Sequence, residues 1–85
     1  MLTFYFVAGE QVMTRRSYRL LDAWLSIENC KHLASEFREL PITAYDRNGQ
    51  KICTRRWAAW HDALMRDTYG SDWHRHVDNA ATQLR

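Results

Sequence analysis

The sequence predicts an α+β fold: two ββα repeats forming a four-stranded antiparallel sheet, with helices packed on one face and an extra C-terminal helix. Two observations lead to this prediction. Residues 2–25 align with residues 42–65, and eight of the 24 aligned positions are identical. Each aligned segment also begins with alternating apolar residues, passes through a Gly and ends in helical spacing, the order expected for a hairpin followed by a helix.

The self-similarity is spread over the whole aligned segment. The identical pairs are Thr3/Thr43, Tyr5/Tyr45, Gly9/Gly49, Thr14/Thr54, Arg15/Arg55, Arg16/Arg56, Asp22/Asp62 and Ala23/Ala63. Similarity at such a period is typical of a repeated supersecondary unit. We therefore predict a single domain, residues 1–85, with an internal repeat of residues 2–40 and 42–84. Chance similarity between two ordinary hairpins is the alternative.

In the first repeat, Leu2–Val7 and Gln11–Arg16 are the predicted strands, because apolar and polar residues alternate along them. If this hairpin has the same register as the hairpin of the second repeat, which is described below, its turn lies at Val7-Ala8-Gly9. The side chains then directed toward the helices are Leu2, Phe4, Phe6 and Val12.

A single helix from about residue 18 to residue 39 follows. Its apolar positions recur in steps of three and four: Leu20, Trp24, Ile27, Cys30, Ala34 and Phe37. Ser17 is the predicted N-cap. Pro41 ends the helix, because proline disfavours helical conformation in the residue before it.

In the second repeat, residues 46–49 (Asp-Arg-Asn-Gly) suit a type I turn followed by Gly at positive φ. This turn pairs Asp46 with Gln50. A two-residue turn at Asn48-Gly49 is the alternative, but it places an arginine beside Ile42, and burial favours the first register. The helix-side residues are then Ile42, Ala44 and Ile52.

Two further helices complete the chain. Trp57, Trp60 and Leu64 mark the first, and Gly70 ends it, since Gly is common just past a helix end. Ser71 is the predicted N-cap of the last helix. The apolar stripe of that helix consists of Trp73, Val77, Ala80 or Ala81, and Leu84.

Alternation also predicts what the sheet exposes on its other side. The predicted exposed residues are Thr3, Tyr5, Met13, Arg15, Thr43, Tyr45, Lys51, Cys53 and Arg55. Tyrosine with arginine occurs twice, at equivalent positions, and both residue types are enriched in protein interfaces and can also stack on bases. We predict a partner-binding site made of Tyr5, Arg15, Tyr45, Lys51 and Arg55. The alternative is that they only cover a solvated sheet face.

Composition limits the classes of protein that fit. Eighty-five residues with 46% hydrophobic and 26% charged residues fit a globular domain. A chain of this size is marginally stable alone, so a homodimer is a natural expectation. No apolar run reaches the ~20 residues that span a membrane, and a cytoplasmic protein without membrane contact is predicted. Two cysteines do not make a disulfide framework, and both are expected to be reduced.

Catalytic and metal-binding motifs are weak. His74 and His76 lie two positions apart, and on a helix such residues cannot share a metal. Cys53 and His61 lack an orienting third group. The chain has only three Gly and no Gly-rich phosphate loop. We therefore predict no enzyme activity, no cofactor and no metal.

These observations favour a small protein that acts by binding another protein or itself. A bacterial, phage or plasmid regulator, or an inhibitor of a host complex such as a defence system, belongs to this class. The alternative is a nucleic-acid-binding protein. It would use the same sheet face, or the basic start of the helix at residues 55–69 with Arg55, Arg56 and Arg66. A net charge of +2 gives this alternative little support.

Overall fold

A computed structural model, which describes residues 1–75, shows the predicted α+β fold. Four antiparallel strands form one sheet, and helices pack against one face of it. The elements in chain order are β1 (Leu2–Ala8), β2 (Gln11–Ser17), α1 (Leu20–Glu28), α2 (Glu36–Glu39), β3 (Ile42–Tyr45), β4 (Lys51–Arg55) and α3 (Trp57–Tyr69). A further helical segment begins at residues 73–75. The remainder of the predicted last helix lies outside the described residues.

The sheet order is β2-β1-β3-β4, so the first strand of each half lies in the centre. These central strands pair antiparallel, with Tyr5 directly opposite Tyr45. The two tyrosines are also equivalent positions of the sequence repeat. An approximate two-fold axis therefore passes between them and relates the two hairpins. The geometry fits two ββα repeats, while the duplication itself stays a prediction.

The first hairpin has a different turn from the predicted one. Ala8 lies opposite Gln11, so the turn is the two-residue loop Gly9-Glu10. Gly9 has φ +59° and is the turn's only residue at positive φ, as a type II′ turn requires. This register places Val12 opposite Val7 and away from the helices, where it is 58% exposed. The predicted burial of Val12 was therefore wrong. The observed loop is one residue shorter than the predicted one, and the changed register turns every side chain of β2 to the opposite face of the sheet.

The second hairpin confirms the predicted turn but not the register beyond it. The Asp46 amide donates to the Gln50 carbonyl at 2.9 Å, and Gly49 has φ +79°. A β-bulge then separates the pair Tyr45–Lys51 from the pair Ala44–Cys53. Ile52 is the extra residue and is 42% exposed, so its predicted place in the core was wrong. A bulge inserts one residue and reverses the facing of every later side chain.

The region predicted as one helix contains two, α1 and α2, with residues 29–35 between them outside any helix. A continuous helix over residues 18–39 would be about 33 Å long, whereas a seven-residue strand spans about 23 Å. Breaking the helix brings Phe37 back over the sheet, where it is buried. Ser17 is not a cap either: it ends β2, and its hydroxyl donates to the Arg19 carbonyl.

Aromatic side chains fill the space between the sheet and the helices. Trp24 of α1 stacks on Trp60 of α3 at 5.0 Å between ring centroids, and Phe6 of the sheet meets Trp60 edge-on at 5.7 Å. Trp60 Nε1 donates to the Arg55 carbonyl, whereas Trp24 Nε1 has no hydrogen-bond partner within residues 1–75. The fully buried large residues are Trp24, Trp60, Phe6, Phe37, Ile27 and Ile42. Trp24 and Trp60 are therefore core residues.

The third helix follows the prediction closely. It begins at Trp57, and Gly70, at φ +91°, follows its last residue and donates to the Arg66 carbonyl. Beyond it, Trp73 is buried and its Nε1 donates to Asp62 Oδ1 at 3.2 Å. Asp62 also accepts from Arg66 Nε at 2.9 Å. This carboxylate therefore ties the segment after Gly70 to the body of the helix.

Candidate partner-binding face

One face of the sheet is turned away from the three helices and is called the open face here. Its members follow from the strand pairing, because residues directly opposite each other share a face. Phe4, Phe6, Ala8, Ile42 and Ala44 are buried on the helix side, so their sequence neighbours lie on the other side. The open face consists of Thr3, Tyr5, Val7, Val12, Thr14, Arg16, Thr43, Tyr45, Lys51 and Thr54.

The two tyrosines predicted to bind a partner form the centre of this face. Tyr5 and Tyr45 are directly opposite each other on the central strands, and both are half-buried by their neighbours. Thr14 flanks Tyr5 on β2, and Lys51 flanks Tyr45 on β4. One row of the open face therefore runs threonine, tyrosine, tyrosine, lysine across all four strands.

A second row lies beside it and is more apolar. Val12 is opposite Val7, Val7 is opposite Thr43, and Thr43 is opposite Thr54. The Thr43 and Thr54 hydroxyls are hydrogen-bonded at 2.8 Å. Each threonine hydroxyl thus has a partner within the sheet, which leaves methyl groups and valine side chains as much of the surface of this row.

Two residues of the predicted site, Arg15 and Arg55, lie on the helix side, so their predicted place on the exposed face was wrong. Arg15 is opposite Phe4, and Arg55 is opposite Ile42. The Arg55 guanidinium lies over the Trp60 ring, 5.7 Å from its centroid, a distance typical of a cation–π contact. The charges of the open face come instead from Arg16 and Lys51.

Sequence reasoning missed five open-face residues: Val7, Val12, Thr14, Arg16 and Thr54. For β2 the sequence held a usable indication, because Gly9 suits the first position of a two-residue type II′ turn. A loop of that length gives the observed facing of the β2 side chains. For β4 the parity depends on the bulge at Ile52, which no local residue pattern announces. The rejected alternative, Ile42 beside Arg55, is the pairing that occurs, although through the bulge rather than the turn.

The two positions predicted beside these arginines also face the helices. Met13 and Cys53 pack against the core and are half-buried. Burial raises the pKa of the Cys53 thiol. A thiol whose pKa is raised by burial is a poor nucleophile at neutral pH. Within residues 1–75, no group of three or more His, Cys, Asp or Glu side chains is placed to hold a metal ion.

An open depression of about 380 Å³ lies where β1 begins, beside the turn of the second hairpin. Its lining includes both sheet faces and the turn: Leu2, Thr3, Phe4, Asp46, Arg47 and Asn48. The carboxylate in this lining, Asp46, accepts hydrogen bonds from the amides of Asn48 and Gln50 at 2.9 Å. That carboxylate is therefore occupied in holding the turn together.

The arginines of the alternative nucleic-acid site all contact other parts of the chain. Arg66 pairs with Asp62, and Arg56 Nη1 donates to the Glu39 carbonyl at 3.3 Å. Arg55 lies over Trp60 as described above. A phosphate backbone would have to replace these contacts, two of which hold helix α3 to its neighbours.

Comparison of the chain with protein-family models, with curated proteins and with solved structures found no match. None of the helices within residues 1–75 is long and apolar enough to cross a membrane.

Proposed function

We propose that this protein is a small binding module that acts through protein–protein contacts made by the open face. The observation that carries the proposal is the pair Tyr5–Tyr45 at the centre of a sheet face that none of the described helices covers. Tyrosine combines a large apolar ring with a polar end and loses little conformational entropy on binding, which is why it dominates interface hot spots. The exposed Val12 extends the apolar area of the face.

The composition of the face favours a protein partner over a nucleic acid. With Arg15 and Arg55 on the helix side, Arg16 and Lys51 are the cations on a ten-residue surface of mostly threonine, valine and tyrosine. Nucleic-acid affinity depends on neutralising several phosphates. A regulator or inhibitor of a bacterial or phage complex is the class that the small size and the lack of catalytic motifs suggest. No residue specifies which complex is bound.

The test removes two tyrosines from the open face and, as a matched control, two from elsewhere. Tyr18 and Tyr69 are 73% and 50% exposed and lie outside the sheet face, before α1 and at the end of α3. The double variant Tyr5→Ala/Tyr45→Ala is compared with Tyr18→Ala/Tyr69→Ala. The partner is first captured from the native host with the wild type, then purified and titrated against all three proteins.

We expect the open-face variant to bind at least about tenfold more weakly, since truncating a hot-spot residue costs about 2 kcal/mol or more. The control variant should bind like the wild type. Both variants should keep the wild-type circular dichroism spectrum. Unchanged affinity of the open-face variant would rule out this face as the binding site.

A titration with single-stranded oligonucleotides at about 50 mM and about 200 mM salt tests the alternative function. Binding of nucleic acid is expected to weaken steeply with salt, because counterions are released on association. Tight, salt-sensitive binding that depends on Tyr5 and Tyr45 would support nucleic acid as the ligand. We expect no binding at either salt concentration.

A further inference from the structure

The two edge strands of the sheet differ in how well they could accept another strand. An edge strand presents unpaired backbone groups, and charges and bulges discourage further pairing. β4 has five residues, a bulge at Ile52 and the cations Lys51 and Arg55 near its two ends. β2 has seven residues and pairs with β1 without a shift, and its two cations, Arg15 and Arg16, both lie in its second half, so residues 11–14 carry no charge. β2 is therefore the edge with fewer obstacles.

We propose that the free edge of β2 pairs antiparallel with the β2 strand of a second copy, so that two chains share one eight-stranded sheet. The centre of β2 is Thr14, and pairing centred there uses the full length of both strands. Thr14 then lies opposite Thr14 of the second copy, Val12 opposite Arg16, and Met13 opposite Arg15. The pairing is made by the backbone edge of β2, although the side chains of Val12, Thr14 and Arg16 also belong to the open face. The proposal needs neither Tyr5 nor Tyr45 and does not rest on the proposed function.

The distribution of charge is what identifies a second copy as the occupant. In the full-overlap register of β2, each arginine meets an apolar residue and no two cations are directly opposite. The aliphatic stem of Arg16 would cover Val12, which is 58% exposed in one chain. If two copies of β4 were paired in the same way, centred on Cys53, Lys51 of each copy would lie directly opposite Arg55 of the other. Like charges in directly opposite positions destabilise a strand pair.

The backbone of β2 is available for this pairing. Apart from the pairing with β1, no backbone–backbone hydrogen bond of the described residues involves residues 11–17. The Thr14 carbonyl accepts from Arg15 Nη1 at 2.8 Å, a contact between sequence neighbours on the surface. A strand amide would replace this exposed contact. An interface of one strand edge is small, and interfaces below about 1,200 Å² are typical of weak association.

The first test measures the molecular mass by sedimentation from about 10 µM to about 1 mM, a range that detects weak dimers. We expect a monomer–dimer equilibrium for the wild type. Thr14→Lys places two like charges at the centre of the dimer and should raise the dissociation constant at least about tenfold. Thr54→Lys is the matched control, because Thr54 is the equivalent position in the other edge strand and is also exposed. It should leave the dissociation constant unchanged.

Amide hydrogen exchange on the wild type gives a second readout that does not depend on a variant. Protection of residues 11–17 should rise with protein concentration, while β4 stays unchanged. Tyr5→Ala/Tyr45→Ala should dimerise like the wild type, which separates this proposal from the function of the open face. A wild type that stays monomeric to about 1 mM, or protection that rises in β4 instead, would overturn the proposal, as would equal weakening by the two lysine variants.

Discussion

The two hairpins of this protein reach the same arrangement by different means. The first hairpin turns in two residues, and its turn lies against the helix layer: a Cβ built on Gly9 would come within 2.9 Å of Leu40 Cδ1. The second turns through residues 46–49, and a Cβ on Gly49 would meet no atom within 4 Å. Its turn is stabilised by the Asp46 carboxylate, which accepts from two backbone amides.

The difference shows which property of the repeat is kept. Relative to the first hairpin, the longer second loop displaces the pairing by three residues, and the bulge at Ile52 reduces the displacement to two, an even number that leaves the facing of the side chains unchanged. As a result Met13 and Cys53 both pack against the core, and Thr14 and Thr54 both lie on the open face. The facing of equivalent side chains is preserved, while the loops that produce it are not. Packing between the hairpins and the helices is therefore the stronger constraint.

The largest expected effect comes from the glycine of the first turn. Gly9→Ala should destabilise the fold by about 2 kcal/mol, because an L-residue at positive φ costs about 1–2 kcal/mol and the new methyl group must displace Leu40. The free energy of unfolding, measured in urea at one protein concentration, checks this.

The same substitution in the second turn separates the two contributions. Gly49→Ala should cost only about 1 kcal/mol, because the cost of positive φ remains and no contact like that with Leu40 is present. Gly49→Asn should cost less again, since Asn tolerates the left-handed region. Equal losses for Gly9→Ala and Gly49→Ala would show that Leu40 does not constrain the first turn.

How much of the fold could be predicted from the sequence follows from this contrast. The Asp46–Gly49 turn is specified by its own residues, so local reasoning placed it correctly. Tyr5 and Tyr45 lie on the open face as expected, because alternation along a central strand depends on nothing beyond that strand. Arg15 and Arg55 were misplaced because the facing of an edge strand depends on loop length and on bulges. Loop length and bulges depend in turn on packing between the sheet and the helices.

The break between α1 and α2 could not be predicted for a related reason. The apolar spacing of residues 20–37 continues across it, so periodicity alone gives one helix. What ends α1 is the need to bring Phe37 over the sheet and to start β3 beside β1. That requirement comes from the tertiary fold and has no local signal.

A smaller effect is expected at the second turn. Asp46→Ala removes the acceptor of the Asn48 and Gln50 amides and should cost about 1 kcal/mol, since both bonds are exposed to water. Asp46→Asn keeps an oxygen acceptor and should lie close to the wild type. Glu10→Ala, in the turn of the first hairpin, should change the free energy of unfolding by less than about 0.5 kcal/mol. A loss at Glu10 as large as at Asp46 would contradict the view that only the second turn depends on its own side chains.

The smallest expected effect tests whether the threonine pair of the second hairpin is bonded in solution. Thr43→Val and Thr54→Val each remove one hydroxyl of the 2.8 Å contact, and the double variant removes both. We expect a coupling free energy of about 0.5 kcal/mol in this double-mutant cycle, because a surface hydrogen bond contributes little net stability.

Thr14→Val is the matched single variant in the first hairpin, where no side-chain hydrogen bond of Thr14 is found within residues 1–75. It should be neutral or slightly stabilising, since Val favours strands. Unfolding is best followed at low micromolar concentration, so that association of β2 edges does not add to the measured stability. Additive losses from the two single variants would show that the hydroxyl contact does not hold β3 to β4.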